Sequence, residues 1–158
     1  MWRRKRTMSP EPWRWRDRPR VLLENPDGDA SLVGAAVLRR AGCSVAVCPG
    51  PVQRGRQPER CPLIGPEGCA LVDGADVIVT SLDLRKPDCV NVVDALRRFH
   101  PGTPLVVETS PDHAVEHAEL LEGCDVIEAP ARPKDLLAAV KNALGSAVPT
   151  FDESLIRR

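Results

Sequence analysis

The chain contains no tyrosine and only two phenylalanines. Cofactor pockets are lined largely by apolar and aromatic side chains, so this scarcity argues against an aromatic cofactor box. No apolar run approaches the ~20 residues that a membrane-spanning helix needs. The basic N-terminus lacks the apolar stretch of a secretory signal, and a cytoplasmic location is expected. Net charge is also missing. Lysine and arginine together number 22, as do aspartate and glutamate, which leaves no whole-molecule field to draw nucleic acid, membrane or an acidic ligand. Several chemical signatures are absent as well. The six cysteines include no Cys-x-x-Cys, which excludes the usual zinc-finger and ferredoxin spacings. No G-x-G-x-x-G or P-loop string follows the first apolar segment, and there is no HExxH. No Ser-His-Asp arrangement or other acid/base pair with shaped surroundings is recognisable, so enzyme activity is not expected.

What the sequence holds is enough chain for one domain. Its 158 residues, 42% of them hydrophobic, can bury a core without disulfides. In a reducing compartment, cysteines are expected as thiols, redox switches or metal ligands. The charge balance conceals one asymmetry, because Met1 to Arg20 holds eight basic residues and two acidic ones. There Trp2, Trp13 and Trp15 interleave with arginines, and Pro10 and Pro12 oppose a helix. Residues 1–19 are expected to form a disordered tail, with Met8 an alternative start that would leave residues 1–7 untranslated. Trp and Arg together also stack on bases or sit at lipid interfaces. A nucleic-acid or membrane adaptor acting through this tail is therefore one reading.

From Val21 the pattern changes. Val21, Leu22 and Leu23 make a short apolar run, as in a buried strand, and Asn25-Pro26-Asp27-Gly28 breaks it. Asp29 or Ser31 is the candidate cap of a helix over 30–41 with Leu32, Val33, Ala36 and Val37 on its inner face. Gly42 ends that helix, and Ser44 to Cys48 is a second strand. Residues 49–74 form an insert with five prolines and five glycines in 26 residues, which admits no more than a short turn near 67–72. Strands are then expected at 76–80, 104–108 and 125–129. Helices are expected at 89–100, with Val92, Val93, Leu96 and Phe99 inward, at 112–122, and at 133–144, with Pro133 at its start. Residues 146–158 read as a C-terminal tail.

Continuous apolar strands that alternate with helices imply a parallel sheet covered on both faces. Right-handed crossovers and the chain length favour a doubly wound, flavodoxin-like α/β sheet of five strands in the order 2-1-3-4-5. A Pro/Gly/Cys-rich loop replaces the second helix. Function is then expected at the carboxyl ends of the strands.

Four strings carry a family resemblance. RVLLENPDGDASLVGAAVLRRAGCSV has the pattern of a first strand, helix and second strand, and ADVIVTSLDLRKPD that of a third strand and its loop. LRRFHPGTPLVVETS and CDVIEAPARPKDLLAAVKNAL supply a fourth strand, a fifth strand with its proline, and a last helix. From Arg20 to Gly145 the chain resembles the CheY-like receiver domain of bacterial response regulators. Its residue usage suits a GC-rich, actinobacterial type of genome. The resemblance implies Mg²⁺ held by an acidic pair after the first strand and an aspartate nucleophile after the third. It also implies a Thr or Ser after the fourth strand and a Lys before the proline after the fifth.

This chain departs from that set. The acidic pair falls on Asn25 and Pro26, with Asp27 nearby. The nucleophile position is Ser81, and Asp83 lies two residues on. Thr109 matches the switch residue, Ala129 stands where the lysine should be, and Pro130 matches the proline, whose peptide is expected to be cis. A transferred phosphoryl group would lack its electrostatic clamp. Neither Mg²⁺ binding nor aspartyl phosphorylation is expected. In the bland reading, Thr109 ends a strand and Asp83 caps a turn.

A second signal is the cysteine set of the insert. Cys48 ends the second strand, Cys61 and Cys69 lie in the insert, and Cys89 opens the third helix. Topology puts these four at one end of the sheet and Cys43 and Cys124 at the other. Four clustered thiols suit zinc or an iron–sulfur centre, and two suit a regulatory disulfide. The alternative is that each is a small buried hydrophobe. His113 and His117, four apart on the expected fourth helix, lack a third ligand and read as solvent-facing.

The leading expectation is a stand-alone pseudo-receiver: a signalling and protein-interaction domain without cofactor. By resemblance, its partner surface is the fourth helix, fifth strand and last helix. The rivals are a redox- or metal-responsive regulator using the insert cysteines and the adaptor noted above.

Overall fold

A computed structural model describes residues 13, 18–51, 53–54, 57–58, 61–66 and 68–145. The expected tails, apart from Trp13, Arg18 and Pro19, lie outside the described residues. Five strands form one parallel sheet: β1 (Arg20–Glu24), β2 (Ser44–Cys48), β5 (Val77–Thr80), β6 (Leu105–Thr109) and β7 (Asp125–Glu128). Within the insert, β3 (Gln53–Arg54) and β4 (Gln57–Pro58) make a separate antiparallel pair. The main sheet runs β2-β1-β5-β6-β7, which is the expected 2-1-3-4-5 once that pair is set aside. The insert also holds a 3-10 turn, Pro62–Ile64, and a four-residue helix α2, Ala70–Asp73.

Strand residues alternate between two cores. Leu22, Ile78, Leu105 and Val107 face helix α3 (Pro87–Phe99) and the insert. Val21, Leu23, Val77, Val79 and Val106 face helices α1 (Gly28–Arg40) and α5 (Pro133–Leu144). Burial on both sides explains why β1 and β5 read as unbroken apolar runs. β2 at one edge is only half-buried, and β7 at the other is largely exposed.

Three helices depart from expectation. α1 is capped by Asp27, whose carboxylate accepts from the amides of Asp29 and Ala30. Its inner face is Ser31, Ala35 and Leu38, while Leu32 and Val33 are exposed, at 67% and 60%, as is Ala36. Ser31 is tolerated inside because its hydroxyl donates to the Asn25 and Asp27 carbonyls. In α3, Val92, Val93 and Leu96 are buried as expected, but Phe99 closes the helix on its outer side. Helix α4 covers only Pro111–Glu116, and turns fill most of 117–123. There the Arg97 guanidinium donates to the carbonyls of Glu119, Leu120 and Glu122, and this tertiary partner supports an irregular segment in place of further helix.

Trp13 also departs from the tail reading. It is buried in the core cluster with Leu63 and Val72. A Cβ added at Gly74 would run into the Trp13 indole, so the glycine makes room for the ring. Trp13 is thus not free to stack on a base or enter a membrane. Among the described residues, no helix is long and apolar enough to cross one.

Candidate functional site at the strand ends

The carboxyl ends of β1, β5, β6 and β7 bring the receiver-like positions together. Glu24 pairs with Thr80 in the β1–β5 ladder, and the Ser81 amide donates to the Glu24 carbonyl at 2.8 Å. Asn25 and Ser81 therefore leave adjacent strands side by side. The Ser81 hydroxyl donates to Glu108 Oε2 at 3.2 Å, and the Ala131 amide donates to Glu108 Oε1 at 3.4 Å. Glu108 thus links the nucleophile position to the loop beyond Pro130. Thr109 is buried, and its carbonyl accepts from the Ala129 amide at 3.0 Å. The Ala129–Pro130 peptide is cis, as the resemblance implied.

The nearby polar side chains are engaged in local bonds. Asn25 Oδ1 accepts from the Asp27 amide at 2.9 Å, and Asp27 caps α1. Asp83 accepts from the Arg85 backbone at 3.0 Å and from its guanidinium through Nε and Nη2, each at 2.9 Å. Hydrogen bonding to Arg85 holds the Asp83 carboxyl down at about 2. Asp83 therefore organises its own turn. No lysine approaches through Ala129, whose methyl offers neither charge nor hydrogen bond.

The cysteines are unevenly spread over the two cores. Cys48, Cys61 and Cys69 all pack against the α3-side core. Cys48 is pushed up to about 11, first by burial, with the charges of Glu24, Cys61 and Cys69 adding to it. Cys61 is raised by burial, with Glu24 and Cys69 adding. Cys89 is a buried member of that same core. Because α3 begins at Pro87, Cys89 lies on the inner face of its first turn, buried, with Lys86, Asp83 and Asp88 as its charged neighbours. Cys43 lies in the other core, and Cys124 lies by Arg97 and Asp125. All six are free thiols. Among the described residues, no three His, Cys, Asp or Glu side chains are arranged to hold a metal ion. His113 and His117 are half-buried, and Ser110 accepts from the His113 amide to start α4.

Sequence reasoning missed Glu24 and Glu108. Glu24 is only 3% exposed, and its Oε1 has no hydrogen-bond partner among the described residues. Burial raises it from 4.5 to about 7. A signal was present: Glu24 continues the inward register of Leu22, where an apolar side chain is the ordinary choice.

No protein-family model matches the chain, and no curated protein is detectably similar to it in sequence. Solved structures do match in three dimensions, and they define the fold as that of CheY-like response-regulator receiver domains. The chemotaxis protein CheY4 of Vibrio cholerae is 19% identical with a TM-score of 0.55, over 80% of this chain and 99% of that one. A response-regulator receiver protein of Sinorhizobium medicae is 20% identical with a TM-score of 0.59, over 82% of this chain and 96% of that one. A protein of Burkholderia pseudomallei described as related to pilus assembly is 20% identical with a TM-score of 0.60, over 87% of this chain and 97% of that one. The likeness to each is one of fold.

Proposed function

We propose that this chain is a pseudo-receiver, a signalling domain that works by protein–protein contact and carries no aspartyl phosphate. The observation that supports this most is the state of the side chains at the strand ends. Asp83, the one aspartate near the nucleophile position, is tied through both carboxylate oxygens to Arg85. Asp27 is a helix cap, and Ser81 is bonded to Glu108. Phosphoryl transfer to a carboxylate needs a free oxygen, a cation held by acidic oxygens, and donors for the developing charge. Asn25, Pro26 and Ala129 stand where the metal-binding pair and the lysine would be.

Partner contact is assigned to α4, β7 and α5, by likeness of fold. That face exposes Val115 at 79% and Val126 at 43%.

The test is incubation of the whole chain with acetyl phosphate and Mg²⁺, followed by intact-mass analysis. The expected spectrum shows unmodified protein for the wild type and for Arg85→Ala, in which Asp83 is released. Stoichiometric addition of a phosphoryl group that is lost in Asp83→Asn would overturn the proposal.

A further inference from the structure

The receiver-like positions Asn25, Ser81 and Glu108 continue the side-chain register of Leu23, Val79 and Val106, on one face of the sheet. Another polar group lies on the opposite face. Glu24 pairs with Cys48 of β2 and with Thr80 of β5. Paired residues of a parallel ladder present their side chains on the same side. Cys48, Glu24 and Thr80 therefore make a row across three strands, beneath the insert. Cys61 and Cys69, from the insert, pack on the same core.

Neither Glu24 Oε1 nor Thr80 Oγ1 has a hydrogen-bond partner among the described residues, although both side chains are more than nine-tenths buried. Buried polar atoms are nearly always satisfied, and an orphan points to a bound water or ion. Here the surroundings favour an ion. The Glu24 charge acts on the thiols of Cys48 and Cys61, and that of Cys69 acts on both. One carboxylate and three thiols thus lie within range of one another's charge on one side of the sheet.

We propose that Glu24, Cys48, Cys61 and Cys69 form a closed, four-ligand site for a thiophilic divalent cation, with zinc the best fit. Sulfur and carboxylate oxygen are both zinc donors, and four protein ligands with no open position suit a structural or sensing site. On binding, each thiol gives its proton to solvent and coordinates as thiolate, and Glu24 coordinates as carboxylate. The described residues do not already stand in a metal-holding arrangement. Binding therefore draws the insert in around Cys61 and Cys69, and metal occupancy becomes an input that reshapes one end of the domain. Cys89, inside α3, is not a ligand.

The experiment uses the full chain, reduced and stripped of metal under anaerobic conditions, and titrated with Co²⁺ and then Zn²⁺. The expected result is one equivalent of Co²⁺ with the visible bands of a tetrahedral site and near-ultraviolet thiolate charge transfer, both abolished by Zn²⁺. Glu24→Gln and Cys61→Ser should each weaken binding by about tenfold or more, since even outer-shell partners contribute that much. Cys89→Ser should bind like the wild type. Circular dichroism keeps the comparison to variants that fold. Failure of the folded wild type to take up Co²⁺ would overturn the proposal. So would equal uptake by Glu24→Gln and Cys61→Ser, or a matching loss in Cys89→Ser.

Discussion

Between pH 4 and pH 8, in the presence of a chelator, the wild-type protein is expected to lose about 3 kcal/mol of stability relative to Glu24→Gln. Glu24 rises from an ordinary 4.5 to about 7 because burial removes water from its carboxylate. The folded state therefore binds the carboxyl proton more tightly than the unfolded chain does. Stability from this group is fully present below 4.5, declines as pH rises through the window from 4.5 to about 7, and is absent above it. Glutamine keeps the shape without the charge. Comparing the two proteins at both pH values cancels the cost of burying the amide. At pH 8 the difference corresponds to roughly 10 °C in Tm. Denaturant titrations at stepped pH measure it directly. Parallel pH profiles for the two proteins would show that Glu24 is solvated.

Replacing Trp13 with alanine is expected to cost about 3–5 kcal/mol, the usual range for emptying a buried aromatic site. The indole lies with Leu63 and Val72, at 7% exposure, over the opening left by Gly74. Its Nε1 has no partner among the described residues, so the ring is held there by apolar contact. Trp13→Phe removes the unpaired donor and keeps much of the ring, and it should cost far less. Deleting residues 1–19, which also removes the Pro19 carbonyl that accepts from the Ser44 amide, should cost at least as much as Trp13→Ala. Urea denaturation of the three variants distinguishes this from a dispensable tail, for which all three would match the wild type.

The parts of the fold legible in the sequence were those set by local pattern. β2 at 44–48 and α5 at 133–144 match the apolar run and the Pro133 start residue by residue. The cis peptide at Ala129–Pro130 followed from the resemblance. What was not legible depended on tertiary partners. The inner face of α1 was misplaced because buried Ser31 is satisfied by the Asn25 and Asp27 carbonyls of the turn that leads into the helix, which helical periodicity does not encode. Helix α4 was drawn too long because Arg97, fourteen residues before its start at Pro111, serves the carbonyls beyond its end. Trp13 was assigned to a tail because arginines and prolines surround it, whereas its place is fixed by Gly74 far along the chain.

The site was legible in the same uneven way. Cys48, Cys61 and Cys69 share one core, on which Cys89 and Cys124 also lie, and Cys43 lies in the other. Helix α3 starts two residues earlier than its pattern suggested and turns the Cys89 thiol into that same core. Glu108 was read as the end of a strand. Its bonds to Ser81 and Ala131 join positions far apart in sequence.

The central claim is that the strand ends of this receiver fold no longer form a phosphoryl-binding pocket. It is tested most directly by amide NMR spectra of the whole chain, with and without Mg²⁺ plus beryllium fluoride, a mimic of the bound phosphoryl group. The account predicts superimposable signals for Ser81, Asp83, Thr109, Ala129 and Ala131. Saturable shifts at these residues that are lost in Asp83→Asn would contradict it.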